Sequence, residues 1–214
     1  MRRKEFLMGE ENYEDVEQFL QEMSFGFLGF WTQEVYPGIL PINYVYYNEA
    51  IYLHGSKAGE KMKSIKHNPN VSFAVAKEYS LIPSYMSDPI YACPATVFFK
   101  SVNITGIAEI VEDIEEKCEV LTHLMHKLQP EGGYEPISSE HSGYVKQVKA
   151  TAIIRINIEQ MTAKFKFGQN WKEEKLNSIS EQLLQRGQEL DEQTVELMQR
   201  YCPHAKTLTH HNNP

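Results

Sequence analysis

Residues 52–62 decide the fold of this chain, and they read Tyr52-Leu53-His54-Gly55-Ser56-Lys57-Ala58-Gly59-Glu60-Lys61-Met62. Their apolar start is typical of a strand, and the glycine after the histidine allows the backbone to turn. Serine is a common helix cap, so we expect a helix from Ser56 to about Lys66. Asn68-Pro69 then ends this helix, because the residue before a proline avoids the helical region.

The start of this expected helix is a candidate phosphate site. Free backbone N–H groups, the hydroxyl of Ser56 and the ammonium groups of Lys57 and Lys61 are groups that bind phosphate at helix starts. A plain strand-to-helix turn with solvated lysines has the same pattern, so the residue types alone leave both interpretations open.

Strand patterns lie on both sides of this stretch. Aromatic and β-branched residues, which suit a pleated and half-buried surface, predict strands at 25–32, 39–47, 50–54, 71–76, 95–110, 150–158 and 161–167. The turn Asn48-Glu49 joins the second strand to the third. About six strands with few helices predict an α+β fold, a small antiparallel β-barrel with flanking helices.

Helical patterns flank the strands. Apolar spacing predicts helices at 10–23 and 114–128, and residues 172–200 favour two helices that divide near Gly187. We therefore expect a barrel domain over residues 1–171 and a helical C-terminal extension over residues 172–214. Three prolines within residues 80–94 predict a long loop, and loops of this length often carry function.

Two further motifs contain lysines, and a third contains histidines. Lys100-Ser101 lies in a predicted strand, and most such pairs are ordinary barrel residues. Lys164 and Lys166 share one strand face, which is typical either of an anion site or of a solvated edge strand. His123 and His126 lack an acidic or cysteine partner at ligand spacing, so we expect no metal site.

Composition disfavours several classes of protein. The 29 acidic and 21 basic residues give a formal net charge of −8, which disfavours binding to nucleic acid or to an anionic membrane. No apolar run approaches the ~18 residues of a membrane span, and the first eleven residues lack the apolar core of a signal peptide. The three cysteines are widely spaced, which is typical of a reducing compartment, so we expect a cytoplasmic protein.

The chain resembles the flavin-binding split-barrel superfamily, which includes the pyridoxamine-5′-phosphate oxidases, and within it the nitroimidazole-resistance (Nim-like) proteins. Residues 41–47 and 51–62 are similar to the paired-strand signature of that group. Lys100-Ser101-Val102 with Gly106 resembles a strand that begins near the flavin. Residues 163–170 resemble the Gly-Lys-x-Lys-x-Ser-Gln-Asn motif of the PaiB-type regulators, with Ala163 and Gly168 in place of Gly and Ser.

The resemblance implies a split-barrel homodimer with two sites for FMN or FAD at the subunit interface. A histidine that matches His54 has been tied to activity in the Nim-like proteins, so His54 is the candidate catalytic residue. Its alternative role is a backbone hydrogen bond at the turn or packing against the flavin. The flavin contacts that the resemblance implies are Pro41, Ile42, Asn43 and Tyr44 beside the isoalloxazine ring, His54, Gly55, Ser56, Lys57 and Lys61 toward the phosphate, and Ser101, Lys166, Gln169 and Asn170 as further polar contacts.

The sequence therefore predicts a flavin-dependent oxidoreductase that acts on a small aromatic or nitro compound. The Ser-Arg-Lys run of the pyridoxamine-phosphate oxidases is Ser56-Lys57-Ala58 here, so we do not expect the vitamin substrate. One alternative is a non-catalytic module that stores or senses flavin or regulates as the PaiB group does, although the acidic balance disfavours direct DNA binding. A haem-binding barrel with His54 or the His123/His126 pair as axial ligand is a third interpretation. The expected partners are a flavin, a small-molecule substrate and a second copy of the chain.

Overall fold

A closed barrel of six strands forms the centre of the computed structural model, which describes residues 4–202. The spatial order of the strands is β1-β2-β3-β6-β5-β4, and β1 pairs antiparallel with β2 and β4, as β3 does with β2 and β6. The predicted small antiparallel barrel is confirmed. The strands are β1 (Phe25–Phe30), β2 (Gly38–Tyr47), β3 (Ala50–Ser56), β4 (Asn70–Ile82), β5 (Thr96–Val111) and β6 (Thr151–Lys166).

Six helices accompany the barrel among the described residues, which confirms the α+β class. They are α1 (Tyr13–Glu22), α2 (Glu60–His67), α3 (Ile114–Leu128), α4 (Ser142–Ala150), α5 (Glu173–Arg186) and α6 (Asp191–Tyr201). The predicted bounds of α3 match the structure, and α5 and α6 divide at Gly187 as predicted.

The described chain divides into two compact units. The main unit contains Gly9–Val75 and Val102–Thr162, and the hairpin unit contains residues 4–8, Ala76–Ser101 and 163–202. Strands β4, β5 and β6 contribute residues to both. The predicted division into residues 1–171 and 172–214 stays a prediction, and residues 203–214 lie outside the described residues.

The core of the main unit follows the alternation of its strands. Leu28 of β1 is fully buried, whereas its neighbours Phe25 and Phe27 on the other face are nearly half exposed. Tyr44 of β2 is also fully buried and packs edge-on against Phe73 of β4, with ring centroids 5.0 Å apart. The Tyr44 hydroxyl donates a 2.9 Å hydrogen bond to the carbonyl of Leu20, which ties α1 to β2.

Two local backbone features, a hairpin turn and a close contact between strands, shape the main unit. Asn48 and Glu49 both have positive φ, 46° and 56°, which is the conformation of a two-residue hairpin turn and confirms the predicted turn. A Cβ on Gly106 of β5 would lie 2.1 Å from the carbonyl oxygen of Asn157, so a side chain there would force β5 and β6 apart.

Several elements differ from the sequence predictions. Strand β4 continues to Ile82, six residues beyond the strand predicted at 71–76 and into the segment 80–94 that is predicted as a loop. The strands predicted at 150–158 and 161–167 are one continuous strand, β6, because the polar residues between them stay in the extended ladder. Helix α4 has no counterpart among the predicted elements, because its nine residues bury only Val148 and therefore give a weak helical signal in the sequence.

Candidate functional site

The end of β3 differs from the prediction at Ser56. Ser56 does not cap a helix; it is the last residue of β3 and pairs with Thr151 of β6. Its Oγ accepts a 3.1 Å hydrogen bond from the backbone N–H of Ala58, which closes a short turn. Helix α2 begins four residues later, after Gly59 with φ +120°, so its N-cap offers no side-chain oxygen. The ladder with β6 holds residue 56 in the strand.

Lys61 of α2 lies against this strand end. A Cβ on Gly55 would lie 2.9 Å from the Lys61 Nζ atom, so the glycine leaves the space that the ammonium group occupies. Lys61 is half-buried, and that burial lowers its pKa below the usual lysine value. Lys57, in the turn before α2, is exposed. The strand end therefore carries one partly desolvated ammonium group and one solvated one.

His54 is the side chain beside this ammonium group. Its Nδ1 atom is buried and has no hydrogen-bond partner among the described residues. Burial first, and then the positive charge of Lys61, lower the pKa of His54 below its usual value. The imidazole is therefore neutral at pH 7, and its buried Nδ1 has a hydrogen-bonding capacity that no described residue uses.

Strand β2 brings the predicted ring contacts next to His54. The ladder between β2 and β3 ends at Tyr44 and Leu53, so Asn43 and His54 are the next residues on the two strands. The Asn43 side-chain nitrogen donates a 3.0 Å hydrogen bond to the Ser24 carbonyl. Tyr44 is fully buried, and its backbone N–H donates a 3.2 Å hydrogen bond to the same Ser24 carbonyl. Pro41 is exposed and Ile42 is half-buried.

The remaining predicted contacts lie in the hairpin unit and are described separately. Ser101 is half-buried at the end of the β5 segment of that unit, and the Lys166 ammonium donates to the hydroxyl of Thr96. Gln169 uses its amide on its own chain, where Nε2 donates to the Phe165 carbonyl at 2.6 Å and Oε1 accepts from the Phe167 N–H at 2.8 Å. Gln169 therefore braces the turn after β6.

Asn170 follows Gln169 in the same turn and is exposed. The main unit thus contains Pro41–Tyr44, His54–Lys57 and Lys61, with Asn43 next to His54 in the strand register and Lys61 next to Gly55. The hairpin unit contains Ser101, Lys166, Gln169 and Asn170. The contacts of these four residues in the hairpin unit indicate no role in the candidate site.

Lys127 of α3 is a residue near β2 that sequence reasoning missed. Its ammonium group lies 4.4 Å from the Tyr44 ring centroid and donates a 3.1 Å hydrogen bond to the Leu20 carbonyl. Burial lowers the pKa of Lys127 to about 8. The available signal was its position three residues after buried Leu124, on the apolar side of an amphipathic helix.

The two histidines of α3 are engaged with aromatic rings. His123 stacks on Tyr47 with ring centroids 4.0 Å apart, and the His126 ring centroid lies 6.5 Å from that of His123. Within residues 4–202, no group of three or more His, Cys, Asp or Glu side chains is placed to hold a metal ion. None of the helices in that range has both the length and the apolar character that a membrane crossing requires.

These features define a small-barrel protein with a half-buried ammonium group and a buried histidine nitrogen at a strand end. The sequence model of the pyridoxamine 5′-phosphate oxidase family matches residues 12–165, and the chain belongs to that family. No curated protein matches the sequence significantly.

Solved structures share the fold. A protein described as a 5-nitroimidazole antibiotic resistance protein from Bacteroides thetaiotaomicron is 24% identical with a TM-score of 0.57, and the match covers 74% of this chain and 90% of that one. The flavocytochrome Anf3 from Azotobacter vinelandii is 21% identical with a TM-score of 0.59, over 77% and 74% of the two chains. An FAD and heme binding protein from Mycobacterium smegmatis is 13% identical with a TM-score of 0.58, over 71% and 70%. At these identities the likeness concerns the fold alone.

Proposed function

We propose that the chain binds FMN or FAD at the end of β3 and acts as a flavin-dependent oxidoreductase on a small aromatic or nitro compound. The observation that carries this proposal is the buried Nδ1 of His54, which has no hydrogen-bond partner within residues 4–202. The Lys61 ammonium lies next to Gly55, the following residue, and its charge acts on His54. Buried polar atoms in proteins almost always have a partner, so this pair suits a ligand that accepts hydrogen bonds and carries negative charge.

The phosphate of a flavin nucleotide fits these requirements. Its oxygens accept hydrogen bonds from ammonium groups. Lys57 lies in the turn that follows β3, and Lys61 lies in the first turn of α2. The family membership supports a flavin over other phosphate-bearing ligands, and two of the structural neighbours bear names that include FAD or a flavocytochrome.

In the proposed site each residue of the chain has a separate task. Lys57 and Lys61 bind the phosphate, and the backbone of Pro41–Tyr44 orients the ring. When bound, the flavin supplies hydride and electron transfer. His54 is the group that would hold a proton for the substrate, and its lowered pKa would rise if a bound anion offset the charge of Lys61.

We further propose a homodimer whose interface covers Phe25 and Phe27 on the outer face of β1. Phe25 and Phe27 are 46% and 47% exposed and form an edge-on pair with ring centroids 6.0 Å apart. Their cross-strand partners are Asn43 and Pro41, which belong to the proposed flavin strand. A second copy on this face would bury apolar surface and close over the same strand.

The test of the activity is consumption of NADH or NADPH by the flavin-loaded protein with a nitroimidazole present. The proposal expects turnover, and it expects His54→Gln to lower kcat by about 10²-fold or more if its proton is used. The control His67→Gln, at the exposed end of α2, is expected to leave kcat unchanged. A flavin that stays oxidised would favour the flavin-storing or sensing module, and a Soret band would favour the haem interpretation.

A further inference from the structure

A second pocket of the main unit lies at the start of β2. It has a volume of about 420 Å³, which is within the range of small-molecule sites. Its floor is at Gly29, whose cross-strand neighbours are Ile39 on β2 and Ser72 on β4. Trp31 forms part of its wall.

The floor is open because residue 29 has no side chain. A Cβ there would meet Ser72 at 3.6 Å, an ordinary contact, and the backbone of Gly29 does not have positive φ. Neither packing nor conformation therefore requires glycine at this position. Along the same face of β1, Phe25 and Phe27 fill the corresponding positions with rings. The glycine leaves a gap about the size of one ring in that aromatic row.

The walls of the pocket combine exposed apolar groups with one charge. Trp31 is 60% exposed and Ile39 is 73% exposed, which is unusual for side chains of their size. Of the described residues that line the pocket, Glu159 alone is charged, and Asn70, Ser72 and Thr105 are its other polar side chains. A pocket lined by an indole ring and a carboxylate offers two groups that attract organic cations.

We infer that this pocket binds a small aromatic amine in its protonated form. The ring lies over Gly29 between Trp31 and Ile39, and the ammonium group is directed toward Glu159. The inference does not depend on flavin binding, since none of its residues belongs to the proposed flavin site. A neutral aromatic compound or a second copy of the chain are the competing occupants.

The experiment uses the fluorescence of Trp31 in the full chain. The sequence contains two tryptophans, so Trp171→Phe leaves Trp31 as the only one. This variant is titrated with 2-phenylethylamine, 2-phenylethanol and 3-phenylpropionate at pH 7, with and without FMN. We expect a saturable change with the amine, affinity about tenfold lower for the alcohol, and no binding of the acid.

Two variants and a matched control locate the site. Glu159→Gln is expected to lower the affinity for the amine about tenfold and to abolish the preference over the alcohol. Gly29→Val fills the gap and is expected to abolish binding of both compounds while the melting curve shows a folded protein. Glu34→Gln makes the same change in net charge at an exposed residue that does not line the pocket, and it is expected to bind as the parent does.

Three outcomes would overturn the inference. They are no saturable change at millimolar amine, equal affinity for amine and alcohol, or equal amine affinity in Glu159→Gln and Glu34→Gln. If FMN binds while the amine does not, the pocket inference fails and the proposed flavin function stands. If dimerisation closes the pocket, the amine will not bind and the second copy is the occupant.

Discussion

At the scale of single residues, the electrostatics of the site depend on the contact between Lys61 and the β3 end. Both His54 and Lys61 have lowered pKa values, for which burial is the first cause. The Lys61 ammonium disfavours the protonated form of His54, whereas the lowered pKa of Lys61 is caused by burial. In the free protein the positive charge at this strand end is therefore unfavourable, and a bound anion would offset it.

The first prediction concerns the pKa of His54. Lys61→Met removes the positive charge beside the ring, so the pKa of His54 is expected to rise toward its ordinary value of about 6.5. An NMR titration of the imidazole resonances measures it, and Lys63→Met, on the exposed face of α2, is the control. A wild-type pKa of His54 at or above about 6.5, or no rise in Lys61→Met, would contradict this account.

The same shift has a consequence for stability. His54 is neutral in the folded protein at a pH where it is already protonated in the unfolded chain, because its folded pKa is the lower one. The free energy of unfolding is therefore expected to fall as pH drops below about 6.5, until the folded pKa is passed.

The second prediction concerns the phosphate. Each of Lys57→Ala and Lys61→Ala removes a charge-assisted hydrogen bond of about 1.5–3 kcal/mol, so FMN affinity is expected to fall roughly 10- to 100-fold. Riboflavin, which lacks the phosphate, is expected to bind the variants and the wild type nearly alike. Fluorescence titration measures both, with Lys63→Ala as the control that changes affinity by well under tenfold.

If Lys57→Ala, Lys61→Ala and Lys63→Ala bind FMN equally, the turn after β3 does not hold the phosphate. The next candidates are then Lys164 and Lys166 of β6.

At the scale of elements, the α5–α6 pair of the hairpin unit is held by one buried carboxylate. Asp191 is 1% exposed and accepts hydrogen bonds from Ser80 at 2.7 Å, from two nitrogens of Arg186 at 2.6 and 2.8 Å, and from the Gln188 N–H at 2.9 Å. Burial alone would raise the pKa of Asp191, but the hydrogen bonds outweigh it and hold this pKa below its usual value. The network connects β4, α5 and the start of α6.

The third prediction follows from that network. Asp191→Asn leaves Arg186 without its ionic partner and is expected to lower the free energy of unfolding by about 2–4 kcal/mol at pH 7. The loss is expected to shrink as pH falls below about 3.9 through the folded pKa of Asp191, because the wild type then loses the same charge. Urea denaturation measures it, and Glu192→Gln, the exposed next residue, is expected to change stability by no more than about 0.5 kcal/mol. Equal stability of Asp191→Asn and Glu192→Gln would contradict the role given to this carboxylate.

Some elements are determined by local pattern, and these could be predicted from the sequence. The bounds of α3 follow from its apolar spacing and from Asp113, whose side chain caps the helix at Glu116. The break at Gly187 follows from a left-handed residue, φ 61°, that glycine adopts most easily. Ser56 could not be placed, because its strand partner lies 95 positions away in β6, and serine suits a cap equally well.

The sequence proposes the residues of the candidate site, whose role stays a prediction, but it does not specify their geometry. His54, Gly55 and Lys61 appear in one short motif, so their closeness is a local property of the chain. The lowered pKa values of His54 and Lys61 and the buried Nδ1 arise from packing that the motif alone does not specify. Likewise, the Tyr44 hydroxyl is bound to the Leu20 carbonyl of α1, and these two residues are 24 positions apart in the sequence.

At the scale of the whole molecule, the fourth prediction is the dimer. Light scattering is expected to give twice the chain mass of 24.8 kDa. The double variant Phe25→Ser/Phe27→Ser is expected to shift the protein to a monomer, because it removes the aromatic pair from the covered face. Tyr85→Ser, at a residue 66% exposed in the hairpin unit, is the control and is expected to stay dimeric. A wild-type monomer at all concentrations with flavin present would contradict this assembly.

The central claim is that the end of β3 binds a flavin nucleotide, and a titration of the purified full chain with FMN and with FAD tests it most directly. Absorbance and flavin fluorescence report the bound fraction, and mass analysis identifies any flavin released on denaturation. The account predicts a yellow protein that binds at least one of the two flavins at micromolar concentration and binds riboflavin more weakly. No saturable binding of either flavin at micromolar concentration would contradict it.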